Sequence, residues 1–252
     1  MKSSWLLSVG LAWSQACGLV AAGEVRVAVA ANFAAPFQQI AAGFTKQTGH
    51  AVKVSAASSG KLLLQIQHGA PFEVFLSADA EAPRKLAAGG LAVSDSAFTY
   101  AMGKLVLWSP DPSRIDAEGK ALQGDALRRV AVANPKLAPY GAAAVEAMRA
   151  LGLLERLSPR LVQGESIAQT YQFVATGNAD AGFVALSQVQ VPGQAPRGAH
   201  WLLPERLYTP IRQDAVLLKK GEGQVAAMAL MRYLRSEPVR ALIRTWGYGL
   251  DP

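Results

Sequence analysis

Val25-Arg26-Val27-Ala28-Val29-Ala30-Ala31-Asn32-Phe33 decides how this chain is read: residues 25–29 alternate as a β-strand does, a small polar turn follows, and Phe37, Ile40 and Phe44 then fall on one helical face. The same unit repeats at once. Residues 51–55 read as a second strand, Ala57-Ser58-Ser59-Gly60-Lys61 as its turn, and Leu62, Leu63 and Ile66 as the buried face of the next helix. Turns of this kind lie at the carboxyl ends of parallel strands, where the free N–H groups of helix starts favour an anion. Neither turn contains a carboxylate.

The alternation continues along the chain. Residues 72–76 form a strand leading to Ser77-Ala78-Asp79, and residues 104–108 and 130–133 form two more. The latter opens through Asn134-Pro135 into Ala138-Pro139-Tyr140-Gly141 and a helix carrying Ala142, Val145, Met148 and Leu151. Leu161-Val162 leads through Gln163-Gly164-Glu165-Ser166 to a helix with Ile167, Tyr171 and Val174 on one face, and residues 181–184 are strand again. Such a pattern predicts an α/β fold with mostly parallel sheets flanked by helices. The terminal helices, residues 224–235 and 239–246, have only the first sheet to complete. The chain is therefore expected to cross into a second lobe near residues 99–103 and to return near residues 208–212. Lobe one is then residues 24–101 plus 211–252, lobe two residues 102–210, with the ligand in the cleft between them.

The N-terminus has one basic residue in Met1-Lys2-Ser3-Ser4, an apolar run from Trp5 to Val20, and the small residues Ala21-Ala22. Residues 1–22 thus read as a secretory signal peptide. Ser14, Gln15 and Gly18 interrupt the run short of the roughly 20 apolar residues a membrane span needs. Cys17 is the chain's single cysteine, and Ser14-Gln15 before it is a poor lipid-attachment context, so lipid anchoring is not expected. Cleavage would remove that thiol, excluding disulfides, thiolate metal sites and cysteine nucleophiles. His50, His68 and His200 lack ligand spacing, and no metal site is expected. Loss of Lys2 lowers the formal charge from +7 to +6. The basic residues are dispersed, as Arg84-Lys85, Arg128-Arg129 and Lys219-Lys220, without aromatic interleaving, which argues against nucleic acid as a partner.

From Val25 onward the chain resembles the periplasmic molybdate-binding proteins that feed ABC transporters. The resemblance rests on Val27-Ala28-Val29-Ala30-Ala31-Asn32-Phe33, on Ser55-Ala56-Ala57-Ser58-Ser59-Gly60-Lys61-Leu62, and on Gly69-Ala70-Pro71-Phe72-Glu73-Val74-Phe75-Leu76-Ser77-Ala78-Asp79. Ala133-Asn134-Pro135, Pro139-Tyr140-Gly141, Gly182-Phe183-Val184-Ala185 and Trp246-Gly247-Tyr248 extend it over most of the chain. It implies a two-lobed periplasmic-binding-protein fold of type II, a periplasmic monomer that is no enzyme and needs no cofactor, molybdate or tungstate as ligand, and an ABC permease as partner. Its contact positions fall on Ala31, Asn32, Ser58 and Ser59 in lobe one and on Tyr140 and the backbone around Ile167 in lobe two. One branch of that family has serine at position 32, a small residue at 140 and a ligand tyrosine at 185, where this chain has Asn32, Tyr140 and Ala185. The chain is similar to the other branch.

The residue chemistry points the same way. Molybdate and tungstate near neutral pH are tetrahedral dianions carrying no proton, so a matching site needs donors alone. The hydroxyls of Ser59 and Tyr140, the amide of Asn32 and N–H groups at helix starts are such donors. Phosphate would want an acceptor for its proton, and the nearest acid in these turns, Glu165, is expected to point away. Sulfate, another oxyanion or a ferric-type ligand are the rival ligands. The rival enzyme reading takes Ser58-Ser59-Gly60-Lys61 as the S-x-x-K motif of penicillin-interacting enzymes, which also use S-D-N and K-T-G elements. This chain has Ser94-Asp95-Ser96 and no K-T-G.

Overall fold

The computed structural model describes residues 22–195 and 197–250; residues 1–21 of the expected signal peptide lie outside the described part. In the first lobe β1 (Glu24–Ala30) runs into a 3₁₀ turn (Ala31–Phe33) and α1 (Ala34–Thr48), β2 (Ala51–Ala57) into α2 (Ser59–Gln67), and β3 (Val74–Leu76) towards α3 (Glu81–Ala88) and β4 (Phe98–Gly103). In the second lobe β5 (Leu105–Ser109), β6 (Val130–Ala133), α4 (Pro139–Ala150), α5 (Leu154–Leu157), β7 (Leu161–Gly164), α6 (Ile167–Ala175), β8 (Ala181–Ala185), α7 (Leu186–Val189) and β9 (Ala199–Leu202) follow. The chain returns through β10 (Ile211–Leu217) and ends in α8 (Val225–Tyr233) and α9 (Glu237–Thr245).

The strands form two five-stranded sheets, ordered β2-β1-β3-β10-β4 and β7-β6-β8-β5-β9. β1 pairs parallel with β2 and β3, whereas β10 pairs antiparallel with both β3 and β4. β6 pairs parallel with β7 and β8, whereas β5 pairs antiparallel with β8 and β9. In each sheet, then, the reversed strand is the one that has just crossed between lobes. The others share one direction, as the βα alternation requires.

Burial explains the pairing. Strand β1 alternates between exposed and buried residues at its start and is fully buried from Val27 to Ala30. On one face of its sheet Phe33, Phe37, Ile40 and Phe44 pack with Leu230, Ile243 and Trp246 of the terminal helices. The second lobe is built on Leu105, Leu107, Val132, Phe183, Ala144 and Met148. Each large apolar side chain so buried contributes about 1.5–3 kcal/mol. These contacts explain why the C-terminal helices belong with a strand about 200 residues earlier.

The crossing segments differ from the sequence reading in one respect. Residues 99–103 and 211–212, read there as connections, are strand residues, because β4 and β10 pair with each other from Ile211–Gly103 to Ala215–Phe98. Their register shifts between Gln213 and Asp214. The extra residue lies on β4, where Tyr100 falls between the partners of Gln213 and Asp214; such an irregularity re-aims side chains, and Tyr100, Gln213 and Asp214 are all buried.

Helix α4 is seated against its own strand at Gly141, where a Cβ would overlap the Ala133 carbonyl oxygen and lie 2.7 Å from its carbon. Gly141→Ala should therefore cost at least about 1–3 kcal/mol. Gly152→Ala, in open space at φ +70°, should cost about 1 kcal/mol for backbone strain alone. Chemical denaturation of both variants tests the ranking; equal losses would contradict the tight seating of α4.

Candidate functional site

Four strand-to-helix turns converge between the lobes: the 3₁₀ turn after β1 and the starts of α2, α4 and α6. Ala31, Asn32, Ser58, Ser59, Tyr140 and Ile167, the six residues expected from the sequence, line one small cavity there, with Ala30, Ala78, Ala138 and Pro139 completing its wall. Asn32, Ser58, Ser59, Tyr140 and Ile167 are each no more than 5% exposed.

The cavity wall is rich in donors. Ser58 Oγ is buried and has no hydrogen-bond partner among the described residues, a costly state for a hydroxyl unless something else occupies the site. Ser59 Oγ accepts the Ala78 N–H at 2.8 Å, so its own hydrogen remains free to be donated. The Tyr140 hydroxyl oxygen accepts Gln213 Nε2 at 3.1 Å and likewise keeps its hydrogen. Ser166 caps α6 by accepting the Gln169 N–H at 3.2 Å, and the N–H of Ile167 stands in the first turn, where helices have no internal acceptor. Gln188 holds that turn, donating to the Ile167 carbonyl at 3.1 Å while accepting the Ala185 N–H at 3.0 Å.

Asn32 is arranged differently from the sequence reading. Its amide donates to Gln213 Oε1 at 2.9 Å and to the Tyr248 hydroxyl at 3.0 Å, so both side-chain hydrogens are used inside the protein. What Asn32 can offer a ligand is its backbone N–H, near the start of the 3₁₀ turn. Gln213 and Tyr248, which sequence reasoning missed, complete this buried network with Tyr100 and Ser187. No local signal marked them, because Arg212-Gln213-Asp214 reads as a polar connection. Burial holds Tyr100 and Tyr140 well above the usual tyrosine pKa, with neighbouring tyrosines adding to the effect. Burial raises Tyr248 as well. All three hydroxyls thus stay protonated near neutral pH.

Among the described residues, no carboxylate lines the small cavity. Glu165 is exposed. The acid adjacent in sequence to the lining residue Ala78 is Asp79, whose Oδ1 accepts the Ala82 N–H in the first turn of α3 at 2.7 Å, and burial raises its pKa. Lys61 is exposed, lines neither this cavity nor its neighbour, and makes no bond to Ser58, so no serine–lysine dyad is formed. A far larger groove of about 460 Å³ adjoins the cavity, sharing Ala78, Ala138 and Pro139 with it. Glu81, Arg84, Lys85, Lys136, Glu146 and Arg212 give it mixed charge, unlike the donor-lined cavity.

The donor-lined cavity lies between two sheets, each with its flanking helices. Residues 25–249 fit the family described as bacterial extracellular solute-binding protein. The chain belongs to that family. It is 54% identical to the molybdate-binding protein ModA of Azotobacter vinelandii, over 94% of this chain and 93% of that one. It is also 54% identical to the molybdate-binding protein ModA of Rhodobacter capsulatus, over 90% and 89% of the two chains. A solved structure of the Azotobacter vinelandii periplasmic molybdate-binding protein superposes with a TM-score of 0.88 at 42% identity, covering 90% of this chain and all of that one.

The two serines should respond differently to truncation. Ser58→Ala removes an unsatisfied buried hydroxyl, so the ligand-free protein should melt at the same temperature or slightly higher. Its affinity for a tetrahedral dianion should fall roughly ten- to a hundredfold, the loss of one hydrogen bond to a charged group. Ser59→Ala should lose comparable affinity and also ligand-free stability, since the Ala78 N–H loses its acceptor. Calorimetric titration beside thermal melts separates the two, and a Ser58→Ala protein with unchanged affinity would take that hydroxyl out of the site.

Proposed function

We propose that this protein binds molybdate, and tungstate comparably, in the cavity between its lobes and delivers it to an ABC permease. The observation that carries this reading is the unpartnered Ser58 hydroxyl in a buried wall that also holds two hydroxyls with free hydrogens and contains no carboxylate. A proton-free dianion fits such a wall, and helix starts add about 0.3–1 kcal/mol each, more where water is excluded. The likeness to two molybdate-binding relatives at 54% identity supports the same ligand.

The ligand contacts in this reading are Ser58, Ser59 and Tyr140 through hydroxyls, and Ala31, Asn32 and Ile167 through the backbone. Residues 24–101 with 211–252 act as one lobe and residues 102–210 as the other, and the protein works as a periplasmic monomer exported by its signal peptide. The sheet membership of the strands supports this division, although pairing of β4 with β10 continues to Gly103. Closure around the ligand is supported by a bond that already spans the cleft, from the Gly60 N–H to the Leu137 carbonyl at 2.9 Å. There a Cβ on residue 60 would lie 3.0 Å from Leu137 Cα. Transfer involves no covalent step, only opening of the lobes at the two crossings.

Molybdate and tungstate should each raise the melting temperature, by the amount RT ln(1 + [L]/Kd) in stability, and phosphate should not. Equal shifts with phosphate would refute a donor-only wall. Affinity should also stay flat between about pH 7 and 9, because a tyrosine whose pKa is raised above 10 keeps its donor hydrogen throughout that range. Titration at both ends of the range checks this, and a loss of binding towards pH 9 would point to a donor that ionises.

A further inference from the structure

We propose that Gln213 is a positioning residue that fixes the hydrogen-bond direction of Tyr140, forcing the tyrosine to act as a donor towards the bound oxyanion. The proposal rests on the molybdate reading above and assigns the function of a residue that lies outside the cavity wall.

The direction is anchored at a group that cannot turn round, the backbone carbonyl of Asn32. That oxygen lies 2.9 Å from the Tyr248 hydroxyl and 3.1 Å from the Ser187 hydroxyl, and both can donate to it. Tyr248 also lies 2.9 Å from Ser187 Oγ, so its hydrogen has acceptors on this side. Its oxygen is then left to accept from Asn32 Nδ2. The second hydrogen of the Asn32 amide must meet an acceptor, and it meets Gln213 Oε1 at 2.9 Å. The Tyr100 hydroxyl, shared between the Ser77 carbonyl at 2.9 Å and Gln213 Oε1 at 3.0 Å, favours the same orientation. With its oxygen held on that side, Gln213 turns Nε2 towards Tyr140.

A hydroxyl that receives an N–H must place its own hydrogen elsewhere. Turning the Gln213 amide over would set Nε2 against Asn32 Nδ2, donor against donor, and would draw the Tyr140 hydrogen away from the ligand. The contact has also been given room. A Cβ on Gly103 would collide with the Tyr140 hydroxyl and come within 2.6 Å of Gln213 Nε2. Gln213 itself is fully buried, so water cannot replace either of its functions. The chain of bonds runs from lobe one to lobe two at both ends, through Ser187 and through Tyr140.

The test is a double-mutant cycle read by calorimetric titration of the whole protein with sodium molybdate, with thermal melts to confirm folding. Gln213→Glu keeps the shape and removes the donor, so Tyr140 should donate to the new carboxylate and turn its lone pairs outward. Affinity should drop at least a hundredfold, more than in Tyr140→Phe. Adding Tyr140→Phe to Gln213→Glu should cost little further affinity or restore some. Gln213→Met, which brings no charge, supplies the second cycle should the glutamate variant fail to fold. There Tyr140→Phe should cost clearly less than in the wild type. Equal costs of Tyr140→Phe with and without Gln213 mean that the residues act independently, and the proposal is overturned. A wild type that binds no molybdate overturns the ligand reading and this proposal together, whereas wild-type binding with additive losses overturns this proposal alone.

Discussion

The hydrogen bond between Gln213 and Tyr140 joins a strand that returns to the first lobe to a helix start in the second, and it is made where neither partner can find water. A buried amide left unpaired would cost about 1–3 kcal/mol, so the lobes hold these groups in register in the state described. Much else follows from that constraint. Gly103 must lack a side chain, and Tyr140 must enter at the first turn of α4, directly after Pro139.

In the molybdate reading, anion recognition relies on direction more than on charge. The formal charge of the whole chain is +7, yet among the described residues no Lys or Arg lines the small cavity. Ion pairs such as Lys53–Glu24 and Lys85–Glu81 lie on the surface, where each is worth little and is screened by salt. A fixed lysine would attract any anion. Hydroxyls whose hydrogens are aimed by buried partners accept only a ligand whose facing oxygens are all acceptors, and the dry surroundings strengthen each such bond.

The mixed-charge groove beside the cavity shows why size alone misleads. It is large and open, but it brings acids and bases together. The small cavity beside it holds the orphan hydroxyl of Ser58. In the molybdate reading, the groove is the route by which a ligand arrives, and the Gly60–Leu137 contact closes over it.

The sequence by itself determined the βα alternation, because that depends on local signals, while the resemblance to a known family pointed to six of the ten residues that line the cavity. Those signals are apolar periodicity, small polar turns after strands, and motifs at helix starts. It could not show that 211–217 is a strand wedged between β3 and β4, since Arg212, Gln213 and Asp214 look like a polar connection until their partners are known. Nor could it show which way an amide faces. Asn32 reads as a ligand donor on its own, and only its neighbours at positions 213 and 248, about 200 residues away, take up its hydrogens. Hydrogen-bond direction is set by all the partners around a buried group at once, and those partners meet only when the two lobes and the C-terminus are folded together.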